Sequence, residues 1–261
     1  MQPDDIKAQT QARFGQHAGA YVTSAIHAGG PDLELMLELA APEADARVLD
    51  IATGGGHTAL RFAPHVRRVL ATDFTAPMLD KARSFITAQG VTNVDFLPAD
   101  AENLPFSADS FDLVTCRIAP HHFPDVYRFV CEAARVLQPG GLLVLQDHLL
   151  PDDARAANYI TAIERLRDPS HVRGFDDAEW RGLLLDAGLT IAFAHKLTRP
   201  GKLVEWATRQ GCSSDVIKRL QILFIQAPSA VREWLDIRCA GTADAGFDHT
   251  YMLIGGRKPG A

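Results

Sequence analysis

The sequence predicts a doubly wound α/β fold: a mainly parallel seven-stranded sheet with its last strand antiparallel, helices on both faces, and an added helical cap. Three observations predict it. Short apolar runs bounded by turn residues alternate with amphipathic helical stretches from Val48 onward. Between the first run and the first such helix stands Gly54-Gly55-Gly56, and an acid, Asp73, follows about 20 residues later, the spacing at which nucleotide-binding α/β folds grip a ribose hydroxyl. Finally, Asp50, Asp73, Asp100, Arg117 and Asp147 fall at carboxyl ends of strands, where ligands bind in such sheets.

The elements follow in order. Residues 4–18 are polar, with Ile6, Phe14 and several alanines, and read as a helix. Pro31 opens a second, since its fixed φ suits a first helical turn, and Leu33, Met36, Leu37 and Ala40 give it an apolar face. The run 48–51 is the first strand. Its glycine loop leads into a helix from His57 through Ala59, Leu60 and Phe62. A strand over 66–72 precedes a helix over 77–89 that Gly90 ends, as glycine does at helix C-termini. Strands follow at 94–97 and 111–116, then a helix over 124–137. Gln138-Pro139-Gly140-Gly141 turns the chain into a strand over 142–146. A helix over 151–167 is next. Asp176 and Glu179 form a capping box for a helix ending at Asp186, and 189–195 is a strand. Two or three amphipathic helices interrupt the ending, and 249–255 supplies the last strand. The division expected is a helical cap over 1–44, a ligand-binding domain over 45–196, a helical insert over 197–247 and a closing strand over 248–261.

With 261 residues, 47% of them hydrophobic, the chain can bury one substantial core. No apolar run is long enough to span a membrane, and Met1-Gln2-Pro3-Asp4-Asp5 lacks the apolar centre of a signal peptide. A formal charge of −6 without a Lys/Arg block argues against nucleic acid. Cys116, Cys131, Cys212 and Cys239 show no zinc spacing and suit reduced thiols in a cytoplasmic protein, monomer or homodimer.

Two ligands compete for the glycine loop. Gly54, Gly56 and Ala59 satisfy G-x-G-x-x-G/A, which admits a dinucleotide and a nicotinamide oxidoreductase. Against it, Asp50 would stand close to a pyrophosphate and repel it; an acid there suits a ligand carrying an ammonium group. The D-x-x-x-G-x-G arrangement resembles motif I of the Rossmann-like S-adenosylmethionine-dependent methyltransferases. The chain departs from that family in having Ala52 where glycine is usual, which predicts slight crowding. Pro98-Ala99-Asp100-Ala101-Glu102-Asn103-Leu104-Pro105-Phe106, Phe111-Asp112-Leu113-Val114 and Leu137-Gln138-Pro139-Gly140-Gly141 follow the motif order of class I methyltransferases over roughly residues 45–190. The segment from Leu104-Pro105-Phe106 to His121-His122-Phe123 is similar to the UbiE/YcgJ-like branch, as is Asp168-Pro169-Ser170-His171-Val172-Arg173.

The resemblance implies S-adenosylmethionine as cofactor, S-adenosylhomocysteine as product, and a small-molecule acceptor, with a quinone-like ring as one candidate. It assigns the cofactor to Asp50, Ala52, Thr53, Gly54, Gly56, Asp73, Phe74, Met78, Asp100, Ala101 and Arg117. Asp73 would hold the ribose hydroxyls, and Asp100 with Ala101 would meet the adenine. His121 and His122, after the fourth strand, are candidates for a general base, with Arg117 and His171 beside them. Tyr21, His148 and Arg173 are candidate acceptor contacts. His-His-x-x-Asp offers too few ligands for a metal site, so no metal is expected. The ordinary alternatives are a turn cap for Asp100, packing for Cys116, and a salt-bridged loop for Asp168, His171 and Arg173. A protein that only binds the adenosyl ligand is a third reading.

Overall fold

The computed structural model describes residues 5–13 and 30–260. Residues 5–13 form helix α1. Then come α2 (Pro31–Ala40), β1 (Arg47–Ile51), α3 (His57–Phe62), β2 (Arg68–Asp73), α4 (Ala76–Ala88), β3 (Val94–Pro98), β4 (Phe111–Arg117), α5 (Val126–Val136), β5 (Leu137–His148), α6 (Ala154–Arg167) and α7 (Asp177–Asp186). The chain ends with β6 (Thr190–Lys202), α8 (Leu203–Arg209), α9 (Ser214–Gln226), α10 (Ser229–Trp234) and β7 (Gly246–Arg257).

The seven strands make one sheet in the order β3-β2-β1-β4-β5-β7-β6, with β7 antiparallel to both neighbours and the other pairs parallel. Strands β1, β4 and β5 are buried almost throughout, as continuous apolar runs covered on both faces must be. One face packs Leu49, Val114, Leu143 and Ile254 against Phe129, Val130 and Trp180. The other packs Val48, Val69, Leu113 and Val144 against Met36, Phe62 and Ile86. A third cluster joins α6, α8, α9 and α10 to β7 around Trp206, Leu220, Phe224, Val231 and Phe247. Side-chain caps start the helices where the sequence supplies them. Asp125 accepts from Arg128 N, Asp153 from Arg155 N and Ala156 N, and Asp176 with Glu179 forms the expected capping box.

Two expectations need correction. Gln138 to Gly141 is a bulge inside a longer β5 rather than a turn before it. The pairing jumps from Phe111↔Leu137 to Leu113↔Leu142, so Asp112 alone opposes four residues, and Gly140 adopts φ +83°. The insert is shorter than 197–247, because β6 continues through Pro200-Gly201 to Lys202 and β7 begins at Gly246. Proline is tolerated there because β6 is the edge strand and no ladder bond is lost on its open side.

Gly56 caps α3 at φ +85°, and a Cβ on it would stand 2.9 Å from Ile86 Cδ1 and 3.1 Å from Ala82 Cβ. Gly56→Ala combines a left-handed penalty with a clash against α4 and should cost about 2–4 kcal/mol of stability. Urea unfolding checks it. A midpoint within error of wild type would mean that α4 gives way freely.

Candidate active site

The strands β1, β2 and β4 lie side by side, and their carboxyl ends open into one cavity. Its walls contain Asp50, Ala52, Thr53, Gly54, Asp73, Phe74, Met78, Asp100, Ala101, Arg117 and His122, all marked in the sequence. Gly56 is beneath this wall rather than in it, separating α3 from α4 as described. The loop is held open by left-handed backbone at Ala52 (φ +53°), Gly54 (φ +54°) and Gly56. At Ala52 the departure from glycine therefore appears as backbone strain, costing about 1 kcal/mol.

The acids are prepared rather than loose. Asp50 is buried and accepts from the hydroxyls of Thr53 (2.6 Å) and Thr115 (2.7 Å). Burial pushes its carboxyl up to about 6, with those hydroxyls pulling the other way. Asp73 accepts Gly54 N–H at 3.0 Å and Thr75 N–H at 2.8 Å; burial raises it too. Each of its oxygens keeps a lone pair for a hydroxyl. Asp100 performs the turn-capping role, accepting Glu102 N–H at 2.9 Å, and its second oxygen takes Lys7 of α1 at 2.7 Å.

Other candidates take different places. Arg117 reaches the cavity wall, but its guanidinium pairs with Asp32 at 2.8 Å and with Gln146 at 3.1 Å, and burial lowers it to about 10. Asp32 also pairs with Arg199, so this one acid ties α2 to the end of β4 and to β6. That geometry gives Arg117 a structural ion pair at the cavity wall, beside the catalytic role expected of it. His121 is buried outside the cavity wall, with Nδ1 on Asp147 Oδ1 and its N–H on Asp147 Oδ2, both at 2.6 Å. His122 Nδ1 meets the Ser170 carbonyl at 3.0 Å. His148 and His171 pack around His121, ring centroids 4.4 and 5.1 Å away. Burial lowers both histidines, His148 to about 3. Arg173 turns outward onto Glu179 and the Phe175 ring, away from the cavity, because the capping box leaves a carboxylate there. Tyr21 lies outside the described residues. Cys116 is buried packing, as expected.

Three of the wall residues that sequence reasoning did not mark as site residues matter most. Lys7 and Thr10 reach the wall from α1, and Thr10 Oγ1 is buried there with no hydrogen-bond partner among the described residues. Ile118 stands at φ +53°, an outlier for a β-branched residue, and its N–H donates to Gln146 O at 2.7 Å. That kink turns the chain after β4 and brings His122 and Phe123 to the cavity. No local pattern announces it.

A glycine loop, a carboxylate at the next strand end and a buried carboxylate before the loop meet at one cavity on a doubly wound sheet. A family profile described as "Methyltransferase domain" matches residues 49–145. The uncharacterized methyltransferase YcgJ of Bacillus subtilis is 41% identical over 207 residues, covering 79% of this chain and 82% of that protein. Its crystal structure superposes with a TM-score of 0.85 at 38% identity, covering 88% of this chain and 99% of that one. The demethylmenaquinone methyltransferase of Thermus thermophilus is 41% identical over 111 residues, 42% of this chain and 50% of its own length. The chain belongs to the class I S-adenosylmethionine-dependent methyltransferase family, whose cofactor is S-adenosylmethionine. The glycine loop thereby goes with the adenosyl ligand and not with a nicotinamide. The residues present fit that cofactor: an orphan hydroxyl, carboxylates with open lone pairs and a loop bared of side chains.

Proposed function

We propose that this methyltransferase methylates a small molecule, with the acceptor lying between the cofactor cavity and His122. The observation that carries the reading is the cavity itself, which joins the glycine loop, Asp73 and Asp100 to His122 beyond the end of β4. Bound there, S-adenosylmethionine supplies an electrophilic methyl group on a sulfonium. Asp50 meets its ammonium, Asp73 its ribose hydroxyls, and Asp100 with Ala101 its adenine. Most of the rate then comes from holding two reactants in line, which the kinked segment at Ile118 supports by fixing one wall. His122 takes the proton when the acceptor carries one to lose. His121 is not the base in this reading, because Asp147 engages it in the interior. The insert 203–245 and α1 cover the acceptor side: Lys7 holds Asp100 and Glu102, while Arg13 meets Asp168 at 3.0 Å and the Gln210 carbonyl at 3.1 Å.

A quinone-like ring is a second reading for the acceptor, motivated by the demethylmenaquinone methyltransferase matched over half of its own length. Turnover of a panel of phenolic, quinol and amine acceptors tests both. His122→Ala should lower turnover on a protic acceptor about 10²–10⁴-fold, the scale of general-base catalysis, with S-adenosylhomocysteine affinity unchanged within about twofold. Wild-type turnover in the variant removes His122 from the chemistry.

A further inference from the structure

The histidines behind the cavity make a cluster that methyl transfer does not require. His121 follows β4, His148 ends β5, His171 follows α6, and Asp147 precedes His148. The His121–Asp147 contact alone is an ordinary buried hydrogen bond. His148 and Glu164 are harder to account for. Both side chains are largely buried, at 14% and 7% exposure, and Nδ1 stands 3.7 Å from Oε1. Beyond that approach neither side chain makes a hydrogen bond among the described residues. A buried carboxylate and imidazole left this way normally answer to a ligand.

We propose that His121, Asp147 and His148 bind a divalent first-row transition-metal ion, with Glu164 beside them as a fourth ligand. One donor atom from each of the three lies within 4.8 Å of the other two. Donors on a tetrahedral zinc ion stand ~3.3 Å apart, so the set closes by little more than an ångström on binding. Two imidazoles and a carboxylate select zinc, iron(II) or cobalt(II) over magnesium or calcium, which take oxygen ligands. The sequence alone pointed away from a metal because His-His-x-x-Asp supplies too few ligands locally. The fold brings His148 and Glu164 from other elements.

The test uses the full chain, dialysed against a chelator and titrated with cobalt(II) followed by visible absorption, then with zinc. One equivalent of cobalt should give ligand-field bands that zinc abolishes. His148→Ala should weaken cobalt binding at least a hundredfold, and Glu164→Gln about tenfold, the scale for loss of a supporting carboxylate. His249→Ala, a neighbour whose ring is 6.4 Å from His148, should leave the bands in place. Circular dichroism establishes that each variant is folded. Failure of the wild type to take up one equivalent overturns the site, whatever the variants do. So does uptake by folded His148→Ala and Glu164→Gln with wild-type affinity.

Discussion

Asp50→Asn is expected to act in opposite directions on the free and the liganded protein. In the free protein Asp50 has its carboxyl raised to about 6, mainly by burial, against an unfolded value of about 3.9. Between pH 4 and 6 the unfolded chain gives up this proton first, so the free protein loses stability as pH rises through that window. By pH 7 the loss from this one group is about 2–3 kcal/mol. Asparagine has the same shape and removes the charge, and the hydroxyls of Thr53 and Thr115 can turn to serve it. The free variant should therefore melt higher than wild type at pH 7.5. Binding of S-adenosylhomocysteine should weaken by about 1.5–3 kcal/mol, the scale of a charge-linked hydrogen bond to the ammonium. In wild type the same affinity should fall about tenfold per pH unit below pH 6 as Asp50 takes up its proton. Calorimetry at pH 5, 6, 7 and 8 reads this directly. A flat profile down to pH 5 would detach Asp50 from the ammonium.

Asp73→Ala should lower cofactor affinity by roughly 1.5–3 kcal/mol through the lost ribose contacts. The structure adds a second consequence. Asp73 also accepts the N–H groups of Gly54 and Thr75, and alanine leaves both donors without their acceptor. Stability should drop by about 1–3 kcal/mol as well. Asp73→Asn keeps one carbonyl oxygen and should fall between wild type and alanine in both measurements. Unchanged affinity in the folded alanine variant would take Asp73 out of the site.

The strand order of events, the glycine loop and the three strand-end acids were legible because each is local. A short apolar run, a turn and an acid are read within a few residues of one another. Less legible was whatever depends on distant segments meeting. Lys7 covers Asp100 across more than 90 residues of chain, and His121, His148 and His171 come together from three connections. Apolar periodicity tells which face of an element is buried, but not which loop ends share a corner. Arg117 illustrates the limit. Its position after β4 suggested chemistry, yet Asp32, on a helix far upstream, takes its guanidinium. The length of β6 was hidden for another reason: Pro200-Gly201 reads as a break, and only its edge position makes it harmless.

The β6–β7 pair is longer than the sheet it belongs to. Strand β7 pairs with β5 only from Arg257 to Tyr251, but it continues against β6 out to Gly246, opposite Lys202. The outer part of that hairpin is a cantilever projecting past the sheet, and α8 begins at its tip. The insert is thus mounted on backbone hydrogen bonds, which salt does not screen, whereas α1 is held through Lys7 and Arg13, whose ion pairs it does. Ionic strength becomes a one-sided control. Raising it loosens the α1 side alone, so exchange of cofactor and product should quicken with salt while the insert keeps its shape.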